Sequence, residues 1–266
     1  MDMNSGYQHY YHSSMASSYD GSIDFEFQTT VFVFEIRTNF LLVKRTLDHD
    51  EDYEEQIMGS ENLSATLRVP ADQLDDWLER LHGDDFSHIT YRLKEYLMPG
   101  DEIQSLIHEV FDFAQEIMAV DPSIPVVPIV VDVGVCTVQL DGETLDHAID
   151  RSVRPDCLIP LPLLRPEWKK NDSFRPINDY LLYGLPRIGV EDEGFGAHME
   201  TCSICLGGPT AAAPMSLLPC NHAFHRHCVV KWMLKSWTCP LCRHEIAHDI
   251  LKEAMKGTNK DITFLL

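Results

Sequence analysis

Residues 202–242 read CSICLGGPTAAAPMSLLPCNHAFHRHCVVKWMLKSWTCPLC and hold six of the eight cysteines in the 266-residue chain. Histidines lie among these cysteines, so that eight possible metal ligands follow one another at short intervals. In order they are Cys202, Cys205, Cys220, His222, His225, Cys228, Cys239 and Cys242. Two residues separate the members of the first and the last cysteine pair, a spacing that lets two sulfurs of one tight turn reach the same ion.

Eight thiolate and imidazole donors predict two tetrahedral zinc sites, because each structural zinc takes four protein ligands. A site closed in this way leaves no position for water, so both zinc ions are predicted to be structural rather than catalytic. The metal is also needed energetically, since about 45 residues bury too little apolar surface to offset their ordering entropy. The spacing alone leaves open whether the ligands pair sequentially or alternately. Four histidines off this spacing are interpreted as ordinary surface residues: His198, His227, His244 and His248.

The ligand order and its surroundings resemble the two-histidine RING fingers (Cys-Cys-Cys-His-His-Cys-Cys-Cys) of plant-type ubiquitin ligases. A PHD finger has a single histidine in fifth place, and a LIM domain pairs its ligands sequentially. The resemblance covers about residues 185–246 and is carried by LPRI at 185–188, LPCNHAFH at 218–225, Trp232 and TCPLCR at 238–243. It implies a cross-brace, in which alternate ligand pairs share an ion. One zinc is then held by Cys202, Cys205, His225 and Cys228, and the other by Cys220, His222, Cys239 and Cys242.

The resemblance also implies a function, that of a ubiquitin-protein transferase without a covalent ubiquitin intermediate. Such a ligase binds a ubiquitin-charged conjugating enzyme and promotes direct transfer of ubiquitin to substrate lysines. The family's docking positions match Ile204, Trp232 and Pro240, and Leu241 borders them. Arg243 matches the linchpin, the residue with a catalytic role although it is no nucleophile. Residues 207–214 lack the acidic side chains common in this loop of relatives, which leaves the choice of conjugating enzyme open.

Two other functions remain as alternatives at this point. A scaffold whose RING only docks or dimerises would have no need for Ile204, Trp232, Pro240 and Arg243 together. A nucleic-acid-binding zinc finger would need a helix with clustered Lys and Arg, which the stretch lacks. The acidic charge of the chain also opposes nucleic acid as a partner.

The charge and the N-terminal composition exclude further classes. The formal net charge is −21, and the first 197 residues carry 14 Lys/Arg against 37 Asp/Glu, or −23. Such a surface repels phosphate backbones and anionic lipid, so neither nucleic acid nor a membrane is expected as a partner. Residues 1–22 lack the basic start and apolar run of a signal peptide, and prolines interrupt the apolar stretch 124–138. We therefore expect a reducing compartment, the cytoplasm and/or the nucleus, where thiols bind metal.

The predicted fold is an α+β N-terminal domain joined by a Pro-rich connector to a small C-terminal cross-brace zinc RING finger. The expected boundaries are a disordered tail (1–22), an α+β domain of unknown family (23–150), the connector with an acidic hinge (151–197), the RING finger (198–246) and a partly helical tail (247–266). An unknown protein substrate is expected to bind residues 23–150. Cys136 is assigned to the core, and Cys157 has no assigned role.

Within the N-terminal domain, hydrophobic periodicity predicts the individual elements. Alternating or continuous apolar residues predict strands at 23–27, 31–36, 40–43, 89–93 and 126–140. Apolar stripes at helical spacing predict helices at 74–81 and 103–117. The acidic run 48–55 is interpreted as a solvated loop or turn.

Overall fold

The computed structural model describes residues 6–16, 30–45, 53–69, 87–121, 124–164, 179–188 and 200–247. The chain divides into two compact units, residues 1–155 (unit 1) and residues 156–266 (unit 2). Among the described residues, no helix combines the length and the apolar character that crossing a membrane requires.

Unit 1 is built on a four-stranded sheet. Its strands are β1 (Tyr7–Met15), β2 (Thr30–Arg45), β3 (Tyr53–Val69) and β4 (Val126–Val138). They lie in the order β1-β4-β2-β3, with β2 parallel to β4 and the other neighbours antiparallel. The register between β2 and β3 shifts after Phe40, where β3 carries one extra residue, a β-bulge. β4 is a nearly continuous apolar run because it lies inside the sheet with both faces mostly buried.

Two helices cover one face of this sheet, α1 (Ser87–Glu95) and α2 (Gly100–Val120). The apolar stripe of α2 predicted from the sequence is buried, from Ile103 to Ala114. The rings of Phe34 on β2 and Phe111 on α2 lie 5.9 Å apart, and Tyr96 after α1 meets Phe40 edge to face. Asp101 and Glu102 in the first turn of α2 interact favourably with the helix dipole. The core of unit 1 lies between these helices and the sheet.

A third helix, α3 (Leu145–Arg151), is held to the sheet by an arginine. The guanidinium of Arg151 donates to both carboxylate oxygens of Glu143, at 2.6 and 2.8 Å, and to the carbonyls of Gly6 and Val138. It also lies over the ring of Tyr7. The hydrogen bonds from Arg151 lower the pKa of Glu143 to about 2. Arg151 thereby joins α3 to the ends of β1 and β4.

This pair predicts an acid-dependent loss of stability in unit 1. Glu143, whose side chain is 6% exposed, has a folded pKa of about 2, below its unfolded value near ~4.3. The carboxylate therefore contributes at most about 3 kcal/mol of stability, which is present in full above the unfolded pKa and is lost as the pH falls through about 2. Glu143→Gln should remove it at pH 7, as measured by urea unfolding with hydrogen exchange of unit 1 peptides.

The matched control is Glu54→Gln, at an exposed ion pair with Lys44. Exposed pairs contribute at most about 1 kcal/mol. The Glu143→Gln deficit should shrink between about pH 4 and pH 2. Equal losses in the two variants, or a deficit that persists at pH 2, would contradict this assignment.

Several elements differ from the sequence-based expectations. Residues 7–15, predicted to be part of a disordered tail, form the edge strand β1. The predicted strand 89–93 is wrong, because these residues lie in α1. The two strands predicted at 31–36 and 40–43 are one strand, β2, and residues 53–55 of the acidic run begin β3. The strand at 126–140 and the helix at 103–117 are confirmed by β4 and α2, and Cys136 is buried on β4. The predictions for 23–27, 74–81 and most of the tail 247–266 lie outside the described residues.

Unit 2 contains more of the chain than the predicted RING finger. Its regular elements are a 3-10 turn (Leu161–Leu164), a π-helical turn (Tyr180–Gly184), β5 (Met215–Leu217), β6 (Ala223–His225) and α4 (Arg226–Met233). β5 and β6 form an antiparallel hairpin. Residues of the predicted connector are buried in this unit: Leu158, Ile159, Leu163, Leu164, Leu181, Leu182 and Leu185. The described parts of the connector, 156–164 and 179–188, therefore contribute apolar core rather than only an extended link.

Candidate zinc centres

The eight predicted ligands form two clusters of four. Cys202, Cys205, His225 and Cys228 make the first cluster, and Cys220, His222, Cys239 and Cys242 make the second. In each cluster, all four ligand atoms lie within 4.8 Å of one another. The alternate pairing implied by the resemblance is thus the one that the structure shows.

The distances between ligand atoms fit a zinc tetrahedron. Zinc–sulfur bonds of ~2.3 Å and zinc–nitrogen bonds of ~2.0 Å place neighbouring ligands about 3.5–3.8 Å apart. His222 Nδ1 lies 3.5 Å from Cys220 Sγ and 3.7 Å from Cys239 Sγ. In the first cluster, His225 Nδ1 lies 3.1 Å from Cys205 Sγ, slightly closer. Thiolate and imidazole donors in this number and arrangement fit two zinc ions, held by these eight residues in a structural role.

Two similar turns bring the paired cysteines together. The amide of Leu206 donates to the carbonyl of Cys202, and the amide of Arg243 donates to that of Cys239. The residue after each pair, Leu206 or Arg243, has a positive φ, of 64° and 61°. This left-handed conformation costs an L-residue roughly 1–2 kcal/mol, and it turns the chain back over the two sulfurs. The second of these turns places Arg243 directly beside the second cluster.

The hairpin and the following helix supply the remaining ligands. His225 ends β6, and Cys228 lies in the first turn of α4. His225 Nε2 lies 2.8 Å from the carbonyl oxygen of Gly208 and donates to it. This bond leaves Nδ1 unprotonated and directed at the cluster, the arrangement common for zinc-binding histidines.

The neighbouring thiols of the first cluster titrate unequally. Before zinc binds, the hydrogen bond from Cys228 lowers the pKa of Cys202, and the same contact raises the pKa of Cys228. In the second cluster, burial raises the pKa of Cys220 to about 12. Zinc binding requires thiolates and neutral imidazoles, so it releases protons and weakens in acid.

The residues that match the family's docking positions lie at the surface of unit 2. Ile204 is 37%, Trp232 38% and Leu241 54% exposed, and Pro240 is half-buried. The indole of Trp232 donates to the carbonyl of Thr238, at 2.8 Å, which ties α4 to the turn before Cys239. Arg243 is exposed.

Sequence reasoning missed the environment of one histidine. His227 was interpreted as a surface residue, yet only 8% of it is exposed. Its Nε2 lies 3.2 Å from Cys228 Sγ, and burial lowers its pKa to about 4. Its position between two ligands was the available signal, but ligand spacing carries no information on burial. His244 is exposed as expected, and His198 and His248 lie outside the described residues.

Residues 181–188, part of the predicted connector, are attached to the zinc-binding part by an arginine. Arg226, the first residue of α4, is buried and donates to the carbonyls of Leu181 and Leu182 at 3.0 and 2.5 Å. Ser216 on β5 donates to the carbonyl of Pro186, and Ile188 pairs with Met215 in a β-bridge. Residues 181–188 thus add to both the hairpin and the helix that carry the ligands.

This attachment predicts that Arg226→Met destabilises unit 2 by roughly 2–4 kcal/mol, because buried carbonyls lose a charged donor. Methionine keeps the aliphatic volume, so the loss reports on the hydrogen bonds. Thermal unfolding in excess zinc measures it, with Lys235→Met on an exposed residue as the control. Identical melting of the two variants would show that the segment 181–188 contributes nothing through Arg226.

Comparison with known proteins agrees with this geometry. The family model described as "Ring finger domain" matches residues 200–243. The chain is 33% identical over 78 residues to the E3 ubiquitin-protein ligase RNF126 of Xenopus tropicalis, covering 29% of this chain and 25% of that protein. It is 35% identical over 74 residues to the E3 ubiquitin-protein ligase RNF181 of Xenopus laevis, covering 28% of this chain and 47% of that protein.

Among solved structures, the RING-H2 domain of Arabidopsis RMR1 is 40% identical, with a TM-score of 0.22. That match covers 23% of this chain and 80% of the other. The match spans about a quarter of the length of RNF126 and about half of the length of RNF181. The eight ligands form two clusters in alternate pairing, and the family model covers the same residues. Residues 200–243 are therefore a RING finger domain of the two-histidine type.

Proposed function

We propose that the chain is a RING-type ubiquitin ligase that binds a ubiquitin-charged conjugating enzyme and promotes direct transfer of ubiquitin to substrate lysines. The observation that carries this proposal is the RING domain itself, with its two ligand clusters and the exposed side chains of Ile204, Trp232 and Leu241. Relatives that share the domain are named ubiquitin-protein ligases.

Exposed apolar side chains next to the zinc turns support the docking of a conjugating enzyme. Ile204 lies inside the first cysteine turn, Leu241 inside the second, and Trp232 on α4. When a partner covers such exposed apolar side chains, the binding free energy becomes more favourable by roughly 25 cal/mol for each Å² buried. Pro240, beside Leu241, completes the proposed docking surface, which we define as Ile204, Trp232, Pro240 and Leu241.

Transfer without a covalent intermediate agrees with the state of the remaining thiols. Outside the two clusters, the described cysteines are Cys136 and Cys157. Burial raises the pKa of Cys136 to about 11, so the thiol is protonated and unreactive at neutral pH. Cys157 is half-buried at the end of a short 3-10 turn.

Arg243 is proposed as the linchpin that contacts both the conjugating enzyme and its ubiquitin. Its planar guanidinium can donate to carbonyls of two partners at once. The left-handed turn at Arg243 places the residue next to the second zinc cluster with its side chain in solvent. In this role Arg243 would favour one conformation of the complex, a population shift rather than a chemical step.

Substrate recognition is proposed for residues 23–150, within unit 1. This unit has its own sheet, helices and core, and so offers a surface separate from the docking surface. On the sheet face opposite α1 and α2, Arg37, Asn39 and Asp132 are exposed side by side. We propose that the protein acts in the cytoplasm and/or the nucleus, where thiols stay available to zinc.

The proposal is tested by assembling the full-length chain with activating enzyme, ubiquitin, ATP and a panel of conjugating enzymes. The protein should build ubiquitin chains on itself with at least one of them. Ile204→Ala should reduce this activity about tenfold or more while two zinc ions stay bound, because it removes an apolar contact and no ligand.

The matched control is Ile57→Ala, which truncates an exposed isoleucine of β3 in unit 1. It should leave chain formation unchanged. Equal activity of the two isoleucine variants would remove Ile204 from the docking surface. An inactive wild-type chain that keeps its zinc would favour a non-catalytic RING scaffold, the second candidate function.

A further inference from the structure

His227 has a buried position that the ligand pattern does not explain. It lies in the first turn of α4, between the ligands His225 and Cys228. Both clusters already contain four donors, so His227 is not needed as a ligand. Burying an imidazole nevertheless costs free energy unless the ring makes compensating contacts.

The contacts of His227 are directed at the first cluster. Its Nε2 lies 3.2 Å from Cys228 Sγ, and its ring stacks on that of His225, with centroids 5.3 Å apart and planes 15° apart. A zinc-bound thiolate carries no proton and can only accept, so His227 Nε2 must carry the proton of this contact. Among the described residues, Nδ1 has no hydrogen-bond partner. The Nε2–H form leaves an unpaired acceptor there and avoids a buried unpaired donor.

We propose that His227 is a positioning residue of the first zinc site, which donates a hydrogen bond to Cys228 Sγ. The bond draws charge from the sulfur and fixes its direction. Groups that hydrogen-bond to metal ligands commonly set metal affinity in this way. The inference concerns zinc binding alone and stands apart from the proposed ligase activity.

Two substitutions separate the hydrogen bond from the stacking. Phenylalanine keeps a flat ring against His225 but offers no donor. Glutamine loses the ring but carries an amide nitrogen at about the reach of histidine Nε2. The test uses the full-length chain, titrated with a chromophoric chelator that competes for zinc, and His108→Phe on exposed α2 as the control.

The expected result is that His227→Phe lowers the zinc affinity of the chain about 10–100-fold, whereas His227→Gln stays close to wild type. Cobalt substituted for zinc gives a second measurement, the thiolate-to-metal charge-transfer band. Without the hydrogen bond the sulfur lone pairs rise in energy, so the band should move to longer wavelength in His227→Phe and return in His227→Gln. A residue that acted only by packing would leave this band in place.

The proposal is overturned if His227→Phe has wild-type affinity and an unshifted band. It is also overturned if His227→Gln is as weak as His227→Phe, since restoring a hydrogen-bond donor would then restore no zinc affinity. Should His227→Phe fail to fold with metal, the comparison of His227→Gln with wild type decides. Wild-type affinity and an unshifted band in His227→Gln support the donor role, and a loss in either contradicts it.

Discussion

Chelation of zinc is expected to unfold residues 200–247 while unit 1 keeps its structure. All eight ligands lie between Cys202 and Cys242, and zinc contributes on the order of 10 kcal/mol to the folding of such modules. The clusters interleave along the chain, because His225 and Cys228 of the first lie between His222 and Cys239 of the second. Loss of one ion should therefore release the other, and Cys202→Ser should have the same effect as the chelator.

Hydrogen exchange of the full-length protein, with and without chelator, measures this directly. Peptides from residues 200–247 should lose protection, whereas those from β2, β4 and α2 should keep it. Elemental analysis of the untreated protein should give two zinc ions per chain. Removal of both ions without loss of protection, or simultaneous unfolding of unit 1, would contradict the structural role assigned to the metal.

Trp232→Ala and Arg243→Ala are expected to impair the proposed ligase in different ways. Trp232 is a large, partly exposed aromatic on the proposed docking surface, and truncating such an anchor commonly costs about 2 kcal/mol or more of binding free energy. The variant should therefore bind the conjugating enzyme roughly 30-fold more weakly. Arg243→Ala should leave this affinity nearly intact and slow chain formation, since Arg243 as the proposed linchpin would favour one conformation of the bound complex.

Affinity is measured by titrating each variant with a conjugating enzyme, and activity by chain formation with that enzyme at saturation. Leu234→Ala is the matched control for Trp232→Ala, because Leu234 is a neighbouring apolar residue of similar exposure. If Arg243→Ala loses affinity as severely as Trp232→Ala, the linchpin role assigned to Arg243 is wrong.

The zinc ligands could be predicted because the constraint on them is local. A tetrahedral ion fixes the number of donors and the spacing within each pair, and both are visible in residues 202–242. The environment of His227 could not be predicted, because its burial depends on how α4 packs rather than on ligand spacing. Nor did spacing show that Leu181 and Leu182 join the RING unit through Arg226.

In unit 1, the secondary-structure predictions that proved wrong also have physical causes. β1 is polar in composition, and it joins the sheet by backbone pairing with β4, more than a hundred residues away. Residues 89–93 alternate in polarity, but the buried set Ile89, Leu93 and Tyr96 also fits a helix, and a short window cannot separate the two. Arg92, buried within the same helix, is neutralised by Glu61 and Glu95. Glu61 lies on β3, so this partner cannot be predicted from the segment around Arg92 alone.

The most direct test of the proposed ligase is single-turnover discharge of ubiquitin from a pre-charged conjugating enzyme to free lysine. This reaction needs neither a substrate protein nor renewed charging, so it isolates the contribution of the RING domain. The zinc-loaded full-length chain is predicted to accelerate discharge about tenfold or more, equivalent to roughly 1.4 kcal/mol of barrier lowering. Cys202→Ser should abolish the acceleration. A zinc-loaded, folded wild-type chain that leaves the discharge rate unchanged with every conjugating enzyme tested would contradict the assignment as a ligase.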